Sequence, residues 1–223
     1  MTAADNSSSA AGYTLFGSKG SGSAAIEAAL EIAGQPYRLV RASSWEADSA
    51  QDELAAVNPL RQIPTLRMPD GGVMTESAAM LIELGLRHPD SGLLPTEPVA
   101  RAQALRGLVF IAANCYAAIS VSDYPERWTS SPDKAAQEAV RQATRERLHG
   151  YWDLFADQFA GGVSDTGYLG GAAPGALDLL AAVVSKWSGT RPHLQQSRPA
   201  FLALLQRIEA HARVAPVFAR HWP

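Results

Sequence analysis

The chain predicts an α/β unit of order βαβ-ββα followed by an all-α region, and three observations carry that prediction. Short apolar runs bounded by glycine and proline fall at 13–16, 37–40, 65–68 and 73–75, and none that is convincing follows residue 76. Helix-period patterns interleave with them at 23–34 and 77–88. A stretch rich in proline then separates these elements from long helical patterns. The expected division is a disordered tail at 1–12, a first domain at 13–88, a linker at 89–98 and an all-helical domain at 99–223.

Tyr13-Thr14-Leu15-Phe16 opens the first domain as a strand and ends in the loop Gly17-Ser18-Lys19-Gly20-Ser21-Gly22. Ser23 precedes Ile26, Ala29, Leu30 and Ala33, the spacing of an amphipathic helix that Gly34 would close. Tyr37–Val40 completes a βαβ unit, whose strands should be parallel. Residues 41–57 are polar, with a weak helix at 52–57. Pro69-Asp70-Gly71-Gly72 then joins two strands as a hairpin, because its glycines permit positive φ. Ala78, Leu81, Ile82 and Leu86 mark the next helix, closing at His88-Pro89. In the second domain the patterns run from Val99 to Asp123, from Asp133 as cap to Phe159, from Ala176 to Trp187, and from Ser197 or Arg198 to Ala212. The last would finish the bundle, with Pro199 in its first turn.

Composition limits the function classes. The 223 residues are 47% hydrophobic and 18% charged with net charge -3, and lysine occurs only at 19, 134 and 186, so no basic patch invites nucleic acid or an anionic membrane. No apolar run approaches the ~18 residues of a membrane span and the first residues lack a signal-peptide pattern, so a cytoplasmic protein is expected. A single cysteine, Cys115, excludes an internal disulfide and a CxxC pair. The five histidines lack ligand spacing, and no metal is expected.

Two short stretches carry chemistry. Pro64 opens a strand, where its missing N–H is tolerated. With Ile63-Pro64 cis, Ile63 would turn its N–H and C=O outward to receive an extended ligand. Thr75-Glu76-Ser77 lies where strand pattern changes to helix pattern, so free N–H groups and the positive dipole end would face an anion. Together they describe a site for an extended, peptide-like anion.

The order βαβ-ββα is that of a thioredoxin-like domain. With the Gln62-Ile63-Pro64 bend, Glu76-Ser77 opening a helix, the proline-rich linker and the all-helical second domain, the chain resembles the cytosolic glutathione transferase superfamily, especially its bacterial members, from Tyr13 to about Phe218. The resemblance implies that Ile63 pairs its backbone with the cysteinyl unit of glutathione, that Glu76 and Ser77 hold the γ-glutamyl end, and that Gln62 adds a polar contact. Trp45 lies where a residue of the family often touches the glycyl end, with an exposed-loop tryptophan packed on the linker at least an equal reading. Glutathione would be co-substrate, a small hydrophobic electrophile its partner, the assembly a homodimer and the role detoxification. A glutathione-dependent isomerase, dehalogenase or ether-cleaving enzyme, and a glutathione- or ligand-binding module with little turnover, are the alternatives. The family's Ser or Thr cap three residues before an Asp is here Gly175 before Asp178, half a capping box with a structural role.

The implied reaction is attack by glutathione sulfur on an electrophilic carbon, which needs the thiolate. Lowering the thiol pKa by about two units takes roughly 2.7 kcal/mol. One hydroxyl hydrogen bond to charged sulfur supplies about 1.5 to 3 kcal/mol, and the helix dipole adds to it. Gly17, Gly20 and Gly22 stand where classes of the family carry tyrosine, serine and cysteine. Ser18, Ser21 and Ser23 remain; Ser23 ranks first and Ser21 second, with a plain helix cap an equal reading of Ser23 and backbone N–H groups of Gly20 and Gly22 a further source. The electrophile's pocket is placed at Asn114, Tyr116, Tyr124 and Trp128, with Tyr116 the polar contact; Cys115, Tyr151, Trp152 and His149 are read as packing.

Overall fold

A computed structural model describes residues 12–46 and 48–223; the expected tail, apart from Gly12, lies outside them. Four strands form one mixed sheet of order β2-β1-β3-β4: β1 (Tyr13–Gly17), β2 (Tyr37–Arg41), β3 (Thr65–Arg67) and β4 (Val73–Met74). β1 pairs parallel with β2, Tyr13 opposite Tyr37, and antiparallel with β3, Leu15 opposite Leu66. The β3–β4 hairpin turns at Gly71, whose φ of 88° is one that glycine adopts freely.

Helices α1 (Ser23–Ile32), α2 (Gln51–Val57) and α3 (Ser77–Arg87) accompany the sheet. Phe16, Val40, Ala42 and Leu54 form a small core under α2. The other face packs on α1 and α3 in a core that continues into the helical region. α1 is buried on nearly every side, including Ser23 and Glu27. Its four alanines allow close approach by β1, α3, the later helix α7 (Ala176–Val184) and the C-terminal α10 (Ala215–His221). The expected one-sided amphipathic helix is thus enclosed on its second side by the helical region. Gly34, at φ 65°, reverses the chain after α1, and Gln35 N–H bonds back to Leu30 C=O at 2.9 Å.

The expected helix at 99–123 runs as α4 (Pro98–Phe110), a π-turn over Ile111–Tyr116 and α5 (Ala117–Asp123). This stretch is long and apolar enough for a membrane span by length and composition alone, a test that the core helix of a bundle also passes. Its inner face packs on α7 and on α6 (Lys134–Phe155). Asp133 caps α6, its Oδ1 accepting Ala135 N–H at 3.0 Å. α8 (Thr190–Ser197) was not expected; only Thr190 and Leu194 are buried in it, too few for a periodic signal. α9 (Pro199–Ala210) begins at Pro199 with Arg198 as its N-cap, so the proline lies in the first turn as expected and the helix ends two residues before the expected Ala212. The bundle does not end there: α10 follows and buries Val217, Phe218 and His221.

Asp178, fully buried at the start of α7, accepts N–H bonds from Leu169, Gly170 and Gly175 at 2.8, 3.0 and 2.9 Å. A Cβ at 175 would fall 2.9 Å from the Leu93 carbonyl oxygen, which accounts for glycine at the cap.

Candidate functional site

A cavity of about 570 Å³ lies between the sheet's loops and the helical region. One wall is built from short segments at 20–22, 43–45, 61–64 and 75–78. The opposite wall comes from the π-turn and α5, the turn that follows it, Leu180 of α7 and Trp187.

The Ile63-Pro64 peptide is cis, as expected. Pro64 is buried, while Ile63 lines the cavity and neither its N–H nor its C=O has a hydrogen-bond partner among the described residues. The bend is braced from behind: Asn58 Nδ2 donates to Gln62 C=O at 3.1 Å and to Thr65 Oγ1 at 2.9 Å, and Thr65 Oγ1 donates to Gln62 C=O at 2.8 Å. Gln62 is exposed on the cavity rim.

Glu76 is the N-cap of α3 at φ 64°, a region that residues other than glycine rarely occupy. Its side chain caps no N–H of its own helix. Ser77 and Ala78 follow it along the cavity, and as the first residues of α3 they bring N–H groups that the helix cannot pair. A carboxylate side chain and a helix N-terminus therefore share one corner, the arrangement for a ligand group bearing both an ammonium and a carboxylate.

The serine loop has a different geometry from the expected one. The N-cap of α1 is Gly22, and Ser23, its first residue, makes no cap bond. Ser23 is fully buried and does not line the cavity; its hydroxyl points back into the loop, where glycine at 17 leaves the room it fills. Ser21 does line the cavity. Ser21 Oγ lies 2.8 Å from Ser18 C=O and 2.8 Å from Ser23 Oγ, and Ser23 Oγ lies 3.2 Å from Ser18 C=O. Two hydroxyl protons thus serve three close acceptor contacts inside the loop. Ser18 is also buried away from the cavity.

From the facing wall, Tyr116 reaches across to this loop: a Cβ at Gly22 would lie 2.5 Å from its Oη. The ring packs edge-to-face on Trp187, with centroids 5.7 Å apart. Burial, with the negative charge of Glu76 as a lesser cause, pushes its phenol up to about 12. Tyr124 also lines the cavity, and Arg127 stacks on its ring at 4.1 Å.

Asn114 and Trp128 are not in the cavity wall. The π-turn changes the helix phase, and Asn114 Nδ2 returns to Phe110 C=O at 3.0 Å. Trp128 follows the turn at Pro125–Arg127 and faces outward, 60% exposed. Cys115 is buried with its thiol pushed up by burial, and Trp152 is a core residue. Trp45 lines the rim. Arg61, Asp123, Arg127 and Trp187 were missed, since charged residues and a lone tryptophan outside any motif carry no signal before the fold brings them together.

Residues 23–86 match the family model of the glutathione S-transferase N-terminal domain. The chain is 39% identical over 127 residues, 55% of its length, to an uncharacterized GST-like protein, YncG, of Escherichia coli K12, and 38% identical over 92 residues, 41% of its length, to a probable maleylacetoacetate isomerase of Caenorhabditis elegans. It spans 59% and 41% of those relatives' own lengths. A glutathione transferase homolog from Sulfitobacter, solved with bound glutathione, superposes with a TM-score of 0.79 at 26% identity, over 93% of this chain and 97% of that one.

Proposed function

Because the chain belongs to the cytosolic glutathione transferase superfamily, we propose that it binds glutathione in this cavity and transfers it, as the thiolate, to a small hydrophobic electrophile. Residues 13–88 hold the tripeptide, 99–223 supply the second wall, and 89–98 join them. The observation that carries this reading is the convergence of Ile63 and the Glu76 corner on one cavity. The unpaired N–H and C=O of Ile63 take the cysteinyl unit as an added strand. The N–H groups at Ser77 and Ala78 take the γ-glutamyl carboxylate, and Glu76 takes its ammonium. The space that remains is walled by Ile119, Tyr124, Leu180 and Trp187, apolar area that suits a hydrophobic electrophile, with Asp123 and Arg127 also in the wall.

Working as a cytoplasmic homodimer in detoxification belongs to the same proposal. A glutathione-dependent isomerase is the second reading, favoured by the C. elegans relative's name; it shares the glutathione site and differs in the product formed.

Calorimetric titration of glutathione into the wild-type chain and Glu76→Gln tests the site. Loss of one charge-assisted hydrogen bond is expected to weaken binding about ten- to one hundred-fold. Wild-type affinity in the variant would refute the assignment.

A further inference from the structure

Resting on the glutathione site just described, in which the sulfur lies beside Ile63 and the loop at 20–22, we propose that the phenol of Tyr116 donates the hydrogen bond that holds the thiolate. The donor would then come from the helical region, although every anchor of the tripeptide comes from the first half of the chain.

Proton counting removes Ser21 and Ser23, and Ser18, whose hydroxyl is unpaired, does not line the cavity. Ser21 and Ser23 have one hydroxyl proton each, and the Ser18 carbonyl and the other serine's oxygen already take both. Neither serves a sulfur without giving up a bond inside the loop. The Tyr116 hydroxyl, by contrast, has no hydrogen-bond partner among the described residues, and a tyrosine in such a wall normally finds one. Its place is set by the π-turn that ends at it and by Trp187 against its ring.

Gly22 gives the second, independent observation. Its φ of -59° and ψ of -16° are ordinary helical values that any residue adopts, so its conformation does not call for glycine. What stands in a side chain's place is the end of Tyr116: a Cβ there would be 2.5 Å from Tyr116 Oη and in ordinary contact, 3.4 Å, with Pro64 Cδ. The hydroxyl therefore occupies the volume of a side chain at 22, at the N-terminus of α1 and next to the proline that follows Ile63. A sulfur held by Ile63 meets the phenol and the positive end of α1 together.

The phenol keeps its proton at neutral pH, for the reasons given above, and so acts as donor and not as base. The thiol proton leaves to solvent, and the O–H bond of Tyr116 stays intact. Glu76, Arg61, Asp123 and Arg127 are the other charged groups of the cavity wall, and they act on the sulfur equally with or without the Tyr116 hydroxyl.

The test is the ultraviolet thiolate absorbance of bound glutathione against pH in the full chain, for wild type, Tyr116→Phe and Ser21→Ala, beside the affinity of each for S-methylglutathione. Tyr116→Phe is expected to raise the bound thiol's pKa by about one to two units, a ten- to hundred-fold loss of thiolate. Its S-methylglutathione affinity should stay within about twofold, since a thioether sulfur is a weak acceptor. An unmoved thiol pKa in Tyr116→Phe overturns the proposal, with or without a loss of S-methylglutathione affinity. So does a shift of that size in Ser21→Ala alone. If wild type binds neither compound, the glutathione reading itself fails, and a normal S-methylglutathione titration keeps the two failures apart.

Discussion

Glu27→Gln probes how the C-terminal helix is fastened beside the site. The Glu27 side chain, 2% exposed in the middle of α1, accepts Tyr37 O–H at 3.1 Å, Arg220 Nε–H at 3.0 Å and Nη2–H at 2.6 Å, and lies 2.9 Å from His221 Nε2. The amide keeps the shape but removes the charge and leaves one acceptor oxygen for donors that used two. The Arg220 side chain is 48% exposed, so water compensates it and its share is at most about 1 kcal/mol. The bond to buried His221 is worth about 1.5 to 3 kcal/mol. A loss of about 2 to 3 kcal/mol follows, which for a chain of this size lowers Tm by roughly 5–10 °C. The pH dependence has a definite sign. Burial alone would raise the Glu27 pKa, but the bonds from His221 and Arg220 outweigh it and hold the carboxyl below its ordinary range. The unfolded chain then binds the proton more readily. The stabilisation is present in full above the unfolded value of about 4.3 and is lost as pH falls through the lower folded one. Thermal unfolding at fixed protein concentration should therefore show a gap between wild type and variant at pH 7 that closes in acid. A gap under about 1 kcal/mol at pH 7, or one that persists undiminished below about pH 4, would refute the reasoning.

Two further predictions concern the helical region. Gly175→Ser restores a hydroxyl at a helix cap, a change that ordinarily stabilises, yet its Cβ must approach the Leu93 carbonyl, which already accepts Ala176 N–H at 2.8 Å. A net loss of about 1–2 kcal/mol is expected in urea unfolding, and a gain would contradict the steric account. Cys115 should be inert to an aromatic disulfide reagent in the native protein and react stoichiometrically once denaturant is added, because burial raises its thiol and closes access. Prompt native labelling at mildly alkaline pH would show that the π-turn opens.

What the sequence determined by itself is whatever depends on neighbours along the chain. The βαβ-ββα order, the hairpin glycines, the Ile63-Pro64 bend, the Asp133 cap and the start of α3 at Glu76 are set by periodicity, by proline's missing N–H and by capping, which act over a few residues. That the Ile63-Pro64 bend and the Glu76 corner would stand out was legible for that reason, and both line the cavity. Only the tertiary structure decided what fills the space around the glycines. Ser23 at the head of α1 has the signature of a cap; the fold turns its hydroxyl into the room left by Gly17 and moves the cap to Gly22. Gly22 reads in sequence as a missing cysteine and a source of backbone N–H, whereas in the fold the space it leaves is taken by a phenol from a residue 94 positions later. α8 and α10 escaped notice because short helices with few buried positions have no period to detect. Asn114 and Trp128 left the cavity because a π-turn shifts helix phase and a short turn swings the chain outward. These outcomes follow from steric complementarity between segments distant in sequence, a property that no local pattern encodes.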